Sequence, residues 1–203
     1  MIRLYRFAFS TNVERVALAL ARKGLEAESV WIDPDDRSEV ERVSGQRLVP
    51  VLEHDGRVVV DSMQIVHYLE ERYPEPPLYP GHPARRAELE VFVEWFNRVW
   101  KRPPNEIEAE LGRPEPDRER IAALGRQMRG WLSLFERLLD GRGYLFGDEL
   151  TAADLAAFPF VKYAVLWEEG DEDLFHQVLR DHQREPGPRL EAWIRRIDEL
   201  PRA

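Results

Sequence analysis

The chain has 203 residues, of which 43% are hydrophobic and 33% are charged, a composition typical of a globular protein with a buried core. Its 38 acidic residues outnumber its 29 lysines and arginines, and the net charge of −9 argues against a nucleic-acid-binding protein, which needs a basic face. No apolar run approaches the roughly 18 residues that a membrane span requires. Because Met1–Phe7 also lacks an apolar signal segment, we expect a cytoplasmic protein without membrane contact.

The first 80 residues alternate between strand and helix patterns. In chain order they predict a strand over residues 2–7, a helix ending at Gly24, a strand over 29–32, strands over 48–53 and 57–60, and a helix ending near Tyr73. His54-Asp55-Gly56 joins the last two strands and is a hairpin signal. The order β-α-β-α-β-β-α predicts a mixed sheet, because the first crossover joins parallel strands.

A proline-rich stretch separates this α/β region from a helical one. We therefore expect domains at 1–76 and 84–203, with a stiff linker over 77–83. In the second domain Pro103 and Pro104 are predicted to end one helix. A mostly apolar helix over 151–164 is predicted to be buried, with a kink or an early stop at Pro159.

The chain contains no cysteine and only five histidines, and none of the histidines is spaced for a metal-binding helix motif. The absence of cysteine excludes disulfides, thiolate metal sites and a cysteine nucleophile. We therefore expect no metal site.

Ser10 lies between the first strand and the first helix, where unpaired N–H groups and the helix dipole favour an anion such as a thiolate. The alternative is that Ser10 only caps the helix. Thr11 and Glu14 have capping-box spacing, and if Thr11 is the cap, the Ser10 hydroxyl is free to face a ligand.

Two further motifs have both structural and binding interpretations. A proline such as Pro50 is unfavourable inside a strand. A cis Val49-Pro50 bond would resolve this and offer the Val49 main chain to an extended peptide ligand, whereas the alternative is a trans proline opening an edge strand.

Asp61 and Ser62 precede a helix, where either could be a cap. Together they could also bind the ammonium and carboxylate of an amino acid.

The fourth motif, Gly147 to Asp154, has a structural interpretation. Thr151 and Asp154 have the spacing of a capping box at the start of the most apolar helix. A buried helix start must satisfy its N–H groups internally. We expect this pair to serve folding.

These four motifs, in this order, resemble those of the cytosolic glutathione transferase family over the whole chain. The resemblance implies a thioredoxin-like domain followed by an all-helical domain, a homodimer, and attack of the glutathione thiolate on an electrophilic carbon. It implies that Ser10 stabilises the thiolate, as in theta-, phi- and zeta-like members, and that Val49, before a cis Pro50, pairs with the cysteinyl main chain. Asp61 and Ser62 would hold the γ-glutamyl end. The glutathione site implied in this way comprises Ser10, Thr11, Asn12, Arg47, Val49, Pro50, Asp61 and Ser62.

The sequence departs from the family pattern at Leu48, where family members often have lysine or glutamine. Gln46 or Arg47 could instead bind the glycine carboxylate. The electrophile pocket is expected between the domains, with walls from aromatic residues whose alternative is ordinary core packing. These aromatic candidates are Trp95, Phe96, Trp100, Tyr163 and Trp167.

Two other functions stay open. A non-catalytic binding or scaffold protein of the same fold is one, because Leu48 weakens the match. A glutathione-dependent peroxidase or dehalogenase is the other, because glutathione itself can supply the thiol. The identity of the electrophile does not follow from the sequence.

Overall fold

The computed structural model describes residues 1–203, which form two compact units. The first unit contains Met1–Tyr79 together with Leu200–Ala203, and the second contains Pro80–Glu199. The last four residues therefore belong to the first unit, whereas the sequence assigned them to the helical domain 84–203.

The first unit is a four-stranded mixed sheet with helices, as the sequence predicted. The strand order is β2-β1-β3-β4, with β1 parallel to β2 and antiparallel to β3, and with β3 antiparallel to β4. The elements are β1 (Ile2–Arg6), α1 (Thr11–Arg22), β2 (Glu28–Trp31), α2 (Ser38–Ser44), β3 (Val51–His54), β4 (Arg57–Val60) and α3 (Ser62–Arg72).

The hairpin between β3 and β4 turns at Asp55 and Gly56, which have φ angles of 50° and 83°. Positive φ at both central residues is what a two-residue hairpin turn with the twist of its strands requires, and Asp-Gly supplies it. The predicted hairpin is confirmed. α1 packs against α3, and this contact brings the N-terminal turns of the two helices together.

The proline-rich segment after α3 is docked onto the first unit by Glu70. The Glu70 carboxylate accepts hydrogen bonds from Leu78 N at 3.0 Å and Tyr79 N at 3.3 Å, and it pairs with Lys23 Nζ at 2.5 Å. Lys23 Nζ also donates to the carbonyl of Pro76, which follows a cis peptide bond that the sequence did not predict.

The second unit is helical throughout. Its elements are α4 (Pro83–Trp95), a π-helical turn (Phe96–Trp100), α5 (Arg102–Leu111), α6 (Arg118–Leu138), α7 (Ala152–Val161), a 3₁₀ turn (Lys162–Ala164), α8 (Leu174–His182) and α9 (Pro188–Asp198).

The sequence predicted that Pro103 and Pro104 end a helix. In the structure α4 and its π-helical turn end slightly earlier, at Trp100, and both prolines lie in the first turn of the next helix, α5. Proline lacks the N–H that an α-helical ladder needs, but the first turn of a helix does not use that donor. The π-helical turn ends just before α5, with Lys101 N donating to Phe96 O at 3.0 Å. Pro159 behaves as predicted, since α7 stops two residues later and a 3₁₀ turn follows.

Asp154 organises the core of the second unit. It is fully buried, and its Oδ2 accepts from Thr151 N at 2.9 Å and Thr151 Oγ1 at 2.8 Å. Its Oδ1 accepts from Leu145 N and Trp193 Nε1, both at 2.9 Å. Burial raises the pKa of Asp154, and these four donors oppose that shift. The structure thus has a capping box that also ties α7 to α9 and to the preceding loop.

Candidate functional site

Ser10 is the N-cap of α1. Its backbone is extended, with φ −64° and ψ 112°, and its carbonyl accepts from Glu14 N at 3.0 Å. The hydroxyl oxygen accepts a long hydrogen bond from Val13 N at 3.4 Å. The alternative in which Thr11 is the cap is wrong, because Thr11 is already helical and its side chain is buried.

Capping and anion binding are compatible functions of the Ser10 hydroxyl. Capping uses a lone pair of the oxygen, and a hydroxyl keeps one O–H donor besides. The Ser10 side chain is half-buried, and the helix N-terminus beside it carries partial positive charge. The O–H of Ser10 can therefore donate to an anion at this helix end.

Asp61 is the N-cap of α3. Its φ of 67° is one that residues other than glycine rarely adopt. Its Oδ1 accepts from Met63 N at 2.9 Å and from Gln64 N at 3.1 Å, whereas Oδ2 accepts no hydrogen bond from the chain. The carboxylate is exposed, so it keeps one oxygen for a cationic group.

Ser62 and Asn12 join the two helix N-termini. Ser62 is buried, and its hydroxyl lies 3.5 Å from Asn12 Oδ1 on α1. The structure thus brings together two of the motifs that are 50 residues apart in the sequence.

Arg15 is the site residue that the sequence analysis missed. It is only 2% exposed, and its Nη1 donates to Asn12 Oδ1 and Ser62 Oγ, each at 3.2 Å. Burial lowers the pKa of Arg15 to about 9, while Asp61 opposes the shift, so the guanidinium is cationic at neutral pH. An arginine on the same helical stripe as Thr11 and Leu18 was the available signal, since charged residues are seldom buried unpaired.

The Val49-Pro50 peptide bond is cis, so the first of the two interpretations of this motif is the correct one. Val49 is mostly buried, and its N–H and C=O make no hydrogen bond within the chain. The Leu48 side chain is 69% exposed, and its backbone N–H and C=O both bond to the side-chain amide of Gln46. Gln46 is therefore occupied in its own loop.

Arg47 and Thr11 are less well placed than the other candidates. Arg47 Nη1 lies 3.5 Å from the Glu41 carboxylate, and its side chain makes no hydrogen bond to Ser10, Asn12 or Ser62. Thr11 is 6% exposed and faces the interior of the first unit. The side chains that converge are those of Asn12, Arg15 and Ser62, with Ser10 and Asp61 as the caps of the same two helices.

The aromatic candidates of the second unit divide into buried and surface residues. Trp100 is 1% exposed and stacks on Phe96, with ring centroids 4.5 Å apart. Tyr163 is also buried, and its hydroxyl donates to Asp171 Oδ2 at 3.1 Å. Trp95 is half-buried and Trp167 is 38% exposed. Burial favours core packing, the alternative named above, for Phe96, Trp100 and Tyr163.

No group of three or more histidine, cysteine, aspartate or glutamate side chains could hold a metal ion. No helix combines the length and the apolar character needed to cross a membrane.

Comparison with known proteins gives matches along most of the chain. Residues 4–77 match the family model of the glutathione S-transferase N-terminal domain, and residues 118–196 match that of the C-terminal domain. Glutathione S-transferase 1 of Dianthus caryophyllus is 32% identical over 172 residues, which cover 78% of this chain and 75% of the relative. A crystal structure of a glutathione S-transferase from Rhodospirillum rubrum F11 is 32% identical, with a TM-score of 0.76 over 99% of this chain and 89% of that chain.

Protein LigF of Sphingobium sp. strain SYK-6 is a second kind of relative. It is 36% identical over 105 residues, which cover 49% of this chain and 41% of LigF. The crystal structure of the beta-etherase LigF has a TM-score of 0.80 at 23% identity, covering 98% of this chain and 96% of that chain. At that identity the structural match establishes a shared fold.

Proposed function

Because the chain belongs to the glutathione S-transferase family and is a glutathione transferase, we propose that Ser10 holds the glutathione thiolate for attack on a small hydrophobic electrophile. Glutathione is the co-substrate of this family. The observation that carries the proposal is the placement of Ser10, which caps α1 through a lone pair and keeps its O–H for a ligand.

The chemistry needs this donor because a free thiol, with a pKa near 8.5, is only a few per cent ionised at neutral pH. A hydrogen bond to the charged form and the positive end of a helix dipole both favour the thiolate. In the transfer step the sulfur forms a bond to the electrophilic carbon. With an aryl halide, the halide leaves with the bonding electron pair.

The remaining site residues support binding of the tripeptide. Asp61 Oδ2 is free for the ammonium of the γ-glutamyl group, and Ser62 with the N-terminus of α3 suits its carboxylate. Arg15 adds a buried positive charge directly behind Ser62. The unpaired main chain of Val49 suits the cysteinyl residue. We include Asn12 in the site because its Oδ1 contacts Ser62 Oγ and Arg15 Nη1, whereas Thr11 makes no hydrogen bond to these side chains.

We assign the glycine carboxylate of glutathione to Arg47, because the ion pair of Arg47 with Glu41 is exposed and can be exchanged for a ligand at little cost in free energy.

We further propose that the protein acts as a two-fold homodimer in the cytoplasm, since closed two-fold dimers are the commonest oligomers. Light scattering of the purified protein tests the dimer.

Ether cleavage is a second candidate for the reaction, favoured by the sequence match to LigF over about half of the chain. In that reaction the glutathione thiolate would attack the carbon that carries an aryl ether oxygen. The C–S bond would form as the C–O bond breaks, and a phenolate would leave. A model aryl ether and an aryl halide, assayed side by side, distinguish the two substrate classes.

The first test is calorimetric titration of the protein with reduced glutathione. We expect binding in the micromolar to millimolar range, weakened at least about tenfold in Ser62→Ala through loss of a charge-assisted contact. Ser133→Ala, an exposed serine of α6, is the matched control. No heat and no thermal shift with the unaltered protein would favour the scaffold alternative.

The second test is turnover by Ser10→Ala with an aryl halide. We expect the rate at neutral pH to fall about a hundredfold while glutathione still binds, because the thiolate loses its donor. Equal turnover would remove Ser10 from the mechanism. Peroxide and haloalkane assays of the same preparations test the peroxidase and dehalogenase alternatives.

A further inference from the structure

The last residues of the chain run along the first helix of the first unit. Ala203 N donates to Ala17 O on α1 at 3.2 Å, and Arg6 Nη1 on β1 donates to Ala203 O at 2.7 Å. These contacts hold residues 200–203, which we call the tail, against the element whose N-terminus carries Ser10.

Within the tail, Arg202 forms an ion pair with Glu14 of α1. Glu14 Oε1 lies 2.8 Å from Arg202 Nη2 and 3.3 Å from Arg202 Nε. The two side chains are only 24% and 14% exposed. Because the pair is largely removed from solvent, its charges are screened less than those of a surface ion pair.

Glu14 is the acidic residue nearest to Ser10 along α1. It follows Ser10 by four positions, and Glu14 N donates to Ser10 O at 3.0 Å. Residues four apart lie on the same side of a helix, with Cβ atoms about 5–6 Å apart. An unpaired carboxylate one helical turn from Ser10 would oppose a second negative charge beside the Ser10 hydroxyl.

Other charges near this helix end are engaged elsewhere. Arg15 donates to Asn12 and Ser62 and interacts electrostatically with Asp61. Arg6 bonds to Ser29 and to Ala203. Arg202 is therefore the cation placed to cancel the charge of Glu14.

We propose that Arg202 is a positioning residue of the glutathione site and acts through Glu14: by cancelling the charge of this carboxylate, it keeps the sulfur beside Ser10 ionised. The inference rests on the proposed function of Ser10. It gives Arg202, which lies 192 positions from Ser10 in the chain, a part in the ionisation of the co-substrate.

The size of the effect follows from Coulomb's law. Even with the full screening of water, a unit charge about 7 Å away shifts an ionisation midpoint by about 0.5 pH unit. We expect Arg202→Gln to raise the midpoint of the enzyme-bound glutathione thiol by about this amount, and Glu14→Gln alone to lower it.

The experiment follows the ultraviolet absorbance of the bound thiolate against pH, at saturating glutathione, with thermal unfolding measured in parallel. Arg202→Lys keeps the charge and should stay within about 0.2 pH unit of the unaltered protein. The double variant Glu14→Gln/Arg202→Gln removes both charges and should return toward the original midpoint. Arg195→Gln, which removes an exposed arginine paired within α9, is the control for net charge and should leave the midpoint unchanged.

An unchanged midpoint in Arg202→Gln, even with a lower unfolding temperature, would show that the pair only stabilises the fold and would overturn the inference. A double variant as shifted as Arg202→Gln would overturn the charge mechanism. If Arg202→Gln does not fold, Glu14→Gln decides, and an unchanged midpoint there refutes the inference. Failure of the proposed function is distinguishable, because the unaltered protein would then show no bound thiolate at neutral pH.

Discussion

At the scale of the residue, the candidate site depends on a buried cation that belongs to no recognised motif. Arg15 donates to both Asn12 and Ser62, so a single side chain joins the N-terminal turns of α1 and α3. A buried guanidinium costs desolvation free energy, which its hydrogen bonds to Asn12 and Ser62 and the charge of Asp61 oppose. Its positive charge would complement the carboxylate that we propose binds at Ser62.

Replacing Arg15 by methionine separates binding from stability. Methionine has a similar length but donates no hydrogen bonds to Asn12 and Ser62, so we expect the free energy of unfolding to fall by about 1–3 kcal/mol. The affinity for glutathione should fall at least about tenfold, because the γ-glutamyl carboxylate loses its nearest cation. Calorimetry and thermal unfolding measure the two effects, with the exposed Arg42→Met as control. Unchanged affinity would show that Arg15 is structural.

At the scale of the element, α6 and α8 meet at a close approach that only glycine allows. A Cβ at Gly125 of α6 would overlap the His182 ring of α8, whereas a Cβ at Gly130 of the same helix meets nothing within 4 Å. Alanine is favoured over glycine in a helix interior by about 0.5–1 kcal/mol, so steric overlap and helix propensity oppose each other at Gly125 alone.

We expect Gly125→Ala to destabilise the protein by about 1–3 kcal/mol and Gly130→Ala to stabilise it by about 0.5–1 kcal/mol. Chemical unfolding of the two variants compares the same substitution in the same helix. A stable Gly125→Ala would mean that the His182 ring moves aside without loss.

The same contact predicts a dependence of stability on pH. Burial lowers the pKa of His182, and Arg129 adds to the shift. The unfolded chain therefore binds the proton more readily, and this contribution makes the fold less stable as the pH falls through about 6.5. His182→Gln should lose less stability than the unaltered protein between about pH 7.5 and 5.5, and His82→Gln, at an exposed histidine, is the control. Identical losses in all three proteins would contradict this.

At the scale of the whole molecule, each unit contains a carboxylate that accepts hydrogen bonds from segments distant in the chain. In the first unit Glu70 pairs with Lys23 and accepts from Leu78 and Tyr79, which docks the proline-rich segment. In the second unit Asp154 accepts from Thr151, Leu145 and Trp193. Such carboxylates hold together segments of the chain that are not brought into contact by local secondary structure.

Asp154→Asn should therefore unfold the second unit more easily. The amide would turn a donor toward groups that are themselves donors, and lost hydrogen bonds to a buried charged group cost about 3 kcal/mol or more in total. Circular dichroism during thermal unfolding measures the effect, and Asp148→Asn, at an exposed residue of the loop before α7, is the control. A loss below about 1 kcal/mol would show that the four contacts contribute little.

The sequence by itself determined those features that depend on residues close together in the chain. The hairpin at Asp55-Gly56, the capping box at Thr151 and Asp154, and the end of α7 after Pro159 all follow from backbone preferences and from hydrogen bonds across three or four positions. Ser10 was recognised for the same reason, because the end of a strand and the start of a helix can be read locally.

Only the tertiary structure decided which distant residues meet. The pairing of Arg15 with Ser62 and that of Arg202 with Glu14 depend on how helices and the tail pack, and no spacing within the sequence encodes them. The structure also decided between the alternatives at Ser10 and Thr11, because burial of one hydroxyl and partial exposure of the other result from packing. Local chemistry thus gave the candidate residues, and packing selected which of them share a site.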